Sequence, residues 1–261
     1  MRVLTHALRK TIAGLGRRRN RWKQGLFVVE GLRLAEAAVA AGAELTALVV
    51  SEEVQGRQEV QALVDSVSAP VYTADQATLQ TLSDVETSQG VLAVCRFETV
   101  PAGEWGAFGR ILALDGVQDP GNVGTLIRTA AWFGVELVVL GSGTADAFAP
   151  KVVRATMGGI WATRIGTSTD LAGALRTLRE AGYAIVGADM DGTPAASWEP
   201  STPHVLVLGS EAHGLSAGVR DVLTDRVALA GPAGLAGVPS RPVESLNVSV
   251  AGGVLLWKST Q

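Results

Sequence analysis

Residues 110–134 read Arg-Ile-Leu-Ala-Leu-Asp-Gly-Val-Gln-Asp-Pro-Gly-Asn-Val-Gly-Thr-Leu-Ile-Arg-Thr-Ala-Ala-Trp-Phe-Gly. The unbroken apolar run Ile111–Leu114 is a strand buried on both faces, as in a parallel sheet. Asp115-Gly116 ends it, and Pro120-Gly121 is a turn signal. Asp119 or Asn122 then caps a helix over Asn122–Phe133, and Val135–Leu140 is the next strand. The stretch is therefore a β-α-β unit, and the chain around it is expected to be α/β.

Working outward, the second half repeats the alternation. Further strand-like runs are Ala184–Ala188, Val205–Leu208 and Val227–Leu229. Helix-like runs are Ala149–Met157, Leu171–Ala181, Leu215–Leu223 and Ser245–Lys258. Most strands end in small or polar residues: Asp115-Gly116, Gly141-Ser142-Gly143, Asp189 and Gly209-Ser210-Glu211. Ligands of open parallel sheets bind beyond the carboxyl ends of the strands, so chemistry is expected in those loops. The first half reads as a helix over Arg2–Leu15, strands at Leu26–Val29, Leu45–Val50, Val71–Thr73 and Gly90–Phe97, and helices at Glu30–Ala41, Val60–Ser66 and Gln76–Leu82. Residues 98–109, with Pro101, Gly103, Gly106 and Gly109, lack periodicity and read as a linker. The domains are thus expected at 1–97 and 110–261.

The 261 residues include one cysteine, Cys95, which excludes a disulfide scaffold and a cysteine-built zinc site. Cys95 lies in an apolar run and reads as an inert core thiol. His6, His204 and His213 lack metal-ligand spacing, so no metal is expected. His213, in a Gly-rich loop, is a weak candidate base. No apolar run approaches the ~18 residues of a membrane span, and the first residues lack the apolar region of a secretory signal. A cytoplasmic protein is expected.

The chain holds 22 Lys/Arg and 25 Asp/Glu, but eight of the cations and no acid fall in residues 1–23. Polyanion affinity follows local clusters, so this end suits nucleic acid although the net charge is −3. Several chemistries are missing from the loops. There is no GxxxxGK[ST], no GxGxxG after the first strand of the second half, and no GxSxG.

Three loops remain: Asp119–Ala130 (DPGNVGTLIRTA), Leu208–Ser216 (LGSEAHGLS) and Glu244–Ala251 (ESLNVSVA). Asn247, at an apolar helix start, must find partners, and Ser245 is the N-cap candidate there. In this order the loops resemble the three motifs of the SpoU (TrmH-like) family of SPOUT RNA methyltransferases. Lys151–Gly159 resembles a further family segment. Arg17–Arg21 with Gly25–Arg33 resembles the L30e-like substrate-binding domain often fused to that enzyme.

The resemblance implies a parallel-sheet domain with a deep trefoil knot, S-adenosylmethionine as methyl donor, a homodimer, and methylation of a ribose 2′-hydroxyl. The RNA is expected to be 23S rRNA rather than tRNA. Arg128 and Asn122 would bind and orient the target ribose and phosphate, Glu211 would order the cofactor loop, and Asn247 would tie the loops together. Gly209 and Leu246 would hold adenine through backbone groups, with Ser245 beside them. The family's Ile-Pro-Met is absent. Leu229 stands in its place with an insertion following, or Val238-Pro239 supplies it. RNA contacts would fall to Arg17, Arg18, Arg19, Arg21, Arg33 and Arg154. Rival readings are a non-catalytic RNA-binding protein of the same fold and an unrelated small-molecule enzyme.

Overall fold

Short Val/Ile/Leu runs alternating with amphipathic helices build two α/β units in this computed structural model, which describes residues 1–229 and 245–261. In chain order the first elements are β1 (Arg2–Val3), α1 (His6–Gly14), α2 (Arg18–Gln24), β2 (Leu26–Glu30), α3 (Leu32–Ala40) and β3 (Leu45–Ser51). They continue with α4 (Gln58–Ser66), β4 (Val71–Ala74), α5 (Gln76–Leu82) and β5 (Val91–Arg96). Next come β6 (Arg110–Asp115), α6 (Pro120–Trp132), β7 (Leu137–Leu140), α7 (Pro150–Thr156), β8 (Arg164–Thr167) and α8 (Leu171–Glu180). The last are β9 (Ala184–Pro194), β10 (His204–Gly209), α9 (Ala217–Arg220), β11 (Asp225–Ala228) and α10 (Val248–Lys258).

Unit 1 comprises Met1–Glu98 together with Asp146–Ala162. Its sheet runs β1-β4-β3-β5-β2, with β5 antiparallel to both neighbours. Ile12, Leu15, Val49, Leu79 and Leu92 fill the core on one side. Asp146–Ala162, read from sequence as part of the second half, belongs to this unit. Phe148 stacks on Phe97 at 3.8 Å between ring centroids and meets Phe27 at 5.3 Å.

Arg21 lies at the centre of this join. Its Nε and Nη2 donate to Asp146 Oδ2 at 3.0 and 2.5 Å, and Nη1 donates to the carbonyls of Leu15 and Gly16. The two side chains are 4 % and 5 % exposed. Arg21 is therefore a structural cation, unavailable to RNA, which corrects its assignment from the basic run. Arg154 is likewise engaged, with Asp84 at 2.9 Å and Glu30 at 3.5 Å. Burial pushes the Cys95 thiol up to about 12, as befits a core thiol.

Two further expectations change here. The helix read from Arg2 begins at His6, because Arg2 and Val3 pair with β4 and the Thr5 side chain caps the helix by accepting the Leu8 N–H. Glu30 closes β2 instead of opening a helix. Gly31, at φ 96°, turns the chain into α3.

Unit 2 comprises Thr99–Ala145 and Thr163–Gln261. Its six strands run β11-β9-β10-β6-β7-β8, all parallel. The order reverses between β6 and β10, the place where open parallel sheets take their ligands, and Asp115 and Gly209 lie in register at the carboxyl ends there. One face packs under α8 and α9 through Leu171, Leu175, Val219 and Val222. The expected linker contributes to this core. Trp105, in a 3₁₀ turn over Ala102–Ala107, is fully buried and donates from Nε1 to the Val100 carbonyl. On α10, a Cβ at Gly252 would come within 2.4 Å of Leu126 and 2.6 Å of Leu208, so glycine lets α10 lie against α6 and β10.

The knot implied by the resemblance involves the stretch between β11 and α10. Its residues 230–244, which include Val238, lie outside the described residues.

Candidate active site

The site is assembled from the carboxyl ends of β6 and β10 and the start of α10. Asp119 settles the capping question at α6, since its side chain accepts the Asn122 N–H at 2.9 Å. That leaves the Asn122 side chain free to turn outward. Its Nδ2 donates to Glu211 Oε1 at 2.5 Å, and its Oδ1 accepts from Asn247 Nδ2 at 3.0 Å. The partners are 89 and 125 residues away in sequence.

Asn247, not Ser245, caps α10. Its Oδ1 accepts from the Ser249 N–H and hydroxyl at 2.9 and 2.6 Å and from the Val250 N–H at 3.4 Å. Ser245 and Leu246 precede the helix and are exposed. Capping fixes the amide orientations along the whole chain. With Asn247 Oδ1 facing α10, its Nδ2 faces Asn122; Asn122 then presents oxygen to Asn247 and nitrogen to the Glu211 carboxylate. A charged acceptor and a helix N-terminus thus close the two ends of one hydrogen-bonded chain. Among the described residues Asn122 keeps one amide N–H without a partner, open to a further ligand.

Glu211 is held by the loop after β10. Ser210 and Gly214 exchange reciprocal backbone hydrogen bonds at 3.0 and 2.8 Å. A Cβ on Gly209 would sit 2.3–2.5 Å from the Gly214 carbonyl and the Leu215 nitrogen, so this strand end admits glycine alone. Gly209→Ala is accordingly expected to cost about 1–3 kcal/mol through the forced backbone shift. A urea midpoint lowered to match should report that cost. An unchanged midpoint would show that the loop tolerates the added methyl group.

Around this chain, Asp115 Oδ2 accepts the Ser216 N–H at 2.6 Å. Thr144 Oγ1 accepts the Gly116 N–H and donates to the Leu114 carbonyl. These anchors were not singled out from sequence; the only signal was an acidic residue at a strand end. Leu229 follows β11 and is half-buried.

Arg128 is not drawn into the cluster. It is exposed on α6, one turn from Thr125, and has no hydrogen bond or ion pair among the described residues. His213 stands exposed at the loop tip, and its side chain has no hydrogen bond among them. Among the basic candidates of unit 1, Arg17, Arg18, Arg19 and Arg33 are exposed. Among the described residues no group of three His, Cys, Asp or Glu side chains is placed to hold a metal. None of the described helices is long and apolar enough to cross a membrane.

A model of the SpoU rRNA Methylase family matches residues 109–257, and a model of the MRM3-like substrate binding domain matches residues 9–93. A Bacillus subtilis (strain 168) protein named 23S rRNA (guanosine(2553)-2'-O)-methyltransferase RlmP is 29% identical, over 92% of this chain and 90% of that protein. A solved structure described as a putative RNA methyltransferase of the TrmH family from Porphyromonas gingivalis is 33% identical, with a TM-score of 0.82 and 98% of both chains covered. An AdoMet-bound rRNA methyltransferase from Sinorhizobium meliloti is 28% identical, with a TM-score of 0.82, covering 99% of this chain and 96% of that one. The chain belongs to the SpoU rRNA methylase family, and its N-terminal part carries the substrate-binding domain found with it.

Proposed function

We propose that this protein transfers the methyl group of S-adenosylmethionine to a ribose 2′-hydroxyl of 23S rRNA, in the cytoplasm and as a homodimer. The observation that carries the reading is the closed Glu211–Asn122–Asn247 chain at the point where the strand order reverses, with Arg128 on the same helix as Asn122 and unpaired among the described residues. The 23S substrate is supported by the name of the Bacillus subtilis relative.

The residues present fit the cofactor. The loops offer backbone and the apolar side chains of Leu229 and Leu246 for a planar base, and the Glu211 carboxylate complements a cation. When bound, S-adenosylmethionine supplies an electrophilic sulfonium methyl. The chain's own part is positioning. The Arg128 guanidinium binds the target phosphate and steadies negative charge as it grows on the 2′-oxygen. The uncommitted N–H of Asn122 binds the ribose. Held there, the donor would give its methyl group to the 2′-oxygen in line, its C–S bond breaking as the O–C bond forms, and the hydroxyl proton would pass to water. Holding both reactants in one crevice supplies most of the acceleration. This displacement has no step that calls for a metal.

The test is transfer of tritiated methyl groups to unmodified rRNA and tRNA. Label at a single alkali-resistant linkage in 23S rRNA is expected, since a methylated 2′-oxygen cannot attack the adjacent phosphate. Label in tRNA alone would replace the substrate, and label in neither would overturn the reading.

The homodimer is supported by an exposed apolar face on α6 and α10. Trp132 is 84 % exposed, Val250 53 % and Trp257 52 %. Apolar surface of this kind on adjoining helices marks an interaction site. Light scattering is expected to give twice the chain mass, and Trp257→Glu is expected to give the monomer. A monomeric wild type would refute this assembly.

A further inference from the structure

Unit 1 contains a cavity of about 360 Å³ that the reading above does not use. Its apolar wall is formed by Leu32, Val54 and Val60, and its polar rim by Arg57, Gln76 and Gln89. The volume falls at the lower end of the ~300–1,000 Å³ usual for small-molecule sites.

Beside Gln76, on the rim, lies an unmet demand. Gly90, at φ 75°, lets the chain pass where a Cβ would lie 2.6 Å from Ser51 Oγ and 3.2 Å from Gln76 Oε1. Both oxygens are buried, and neither has a hydrogen-bond partner among the described residues. Native structures leave few such atoms unsatisfied, and those that remain mark water or ligand positions.

The wall is also built in advance. The loop 83–90 has no regular structure, yet side chains pin it throughout. Gln80 accepts the Ser88 N–H at 2.9 Å and donates to the Val85 carbonyl at 3.0 Å. Gln76 Nε2 donates to the Ser88 carbonyl at 2.9 Å, and Glu30 accepts the Asp84 N–H at 3.2 Å. A surface ordered this way loses little entropy when a ligand enters.

We propose that this cavity takes one unpaired nucleobase of the RNA substrate. The proposal rests on the RNA methyltransferase reading and adds to it a recognition site within the substrate-binding domain. Amide and carboxylate groups over an apolar wall match the hydrogen-bonding edge and flat faces of a base, and Arg57 offers a guanidinium plane for stacking. Arg33, exposed and adjacent in sequence to Leu32, supplies positive charge for the flanking phosphates. The acidic Glu53 also lines the cavity, which favours a base edge over a phosphate as the occupant.

The experiment titrates the full chain with the four nucleoside 5′-monophosphates, using ribose 5-phosphate as control and amide NMR as readout. Saturable shifts at residues 53–57 and 88–91 with at least one nucleotide are expected, and none with ribose 5-phosphate. Shifts with ribose 5-phosphate as well would make this a phosphate site, and no shifts with any nucleotide would remove it. In methylation assays Arg57→Ala and Gln89→Ala should raise KM for rRNA about tenfold, with kcat and S-adenosylhomocysteine binding unchanged. Wild-type KM in both variants would overturn the proposal. If the wild type methylates no RNA, the methyltransferase reading fails while the nucleotide titration still decides the cavity.

Discussion

Arg128→Ala is expected to lower kcat for methyl transfer by about 10³-fold, roughly 4 kcal/mol of transition-state stabilisation. S-adenosylhomocysteine should bind as before. Arg128 is exposed on α6 and makes no hydrogen bond or ion pair among the described residues, so its removal disturbs nothing there that holds the fold. It is set apart from the Glu211–Asn122–Asn247 chain, whose members bond one another. Among the described residues Arg128 is thus an unpaired cation on the helix that carries Asn122. A guanidinium is too weak an acid to serve as a base at neutral pH, so the loss comes from charge stabilisation and orientation. Arg128→Lys should recover part of the rate, because the charge returns without the planar fork. Turnover within a few-fold of wild type in Arg128→Ala would show that the catalytic assignment is misplaced. Loss of cofactor affinity along with turnover would place Arg128 in the cofactor site.

Arg21→Ala is expected to destabilise the protein by about 3–5 kcal/mol, because Asp146 would be left as an uncompensated buried charge. The pair is nearly sealed from solvent, and four donor contacts from Arg21 satisfy two carbonyls and one carboxylate oxygen. Asp146 Oδ1 meanwhile accepts the Phe148 N–H at 3.2 Å. Urea unfolding followed by tryptophan fluorescence checks this, with Trp22 of unit 1, edge-on to Phe97 at 5.3 Å, contributing one of six tryptophan signals. The double replacement Arg21→Met with Asp146→Leu should recover much of the stability, since it removes both charges together. A wild-type urea midpoint for Arg21→Ala would mean that the ion pair contributes nothing net. By contrast, Arg17→Ala and Arg19→Ala should leave the midpoint unchanged, as both side chains are exposed.

Sequence alone determined the layered α/β character, because apolar runs and helical stripes are local patterns. It also placed the candidate site loops, because a strand that stops in Asp-Gly or Gly-Ser-Glu advertises its carboxyl end. The residues of those loops were legible one by one. Asn247 stood out as a polar group that needs a partner, Asn122 as a cap candidate and Glu211 as an acid in a Gly-rich loop. Their joining was not legible, since the bonds span 89 and 125 residues and depend on which strands become neighbours.

Tertiary structure alone decided the rest. Ser245 and Asn247 are both good caps on local grounds; Asn247 caps α10 because its amide can bond Asn122 at the same time. Arg2–Val3 became a strand because β4 offered an edge. Arg21 and Arg19 look alike in a basic run, yet one is buried and the other exposed. The difference is Asp146, 125 residues further on, in a segment that returns to unit 1. Local pattern reports which face of an element is apolar, but the partner of a buried charge is set by the path of the whole chain.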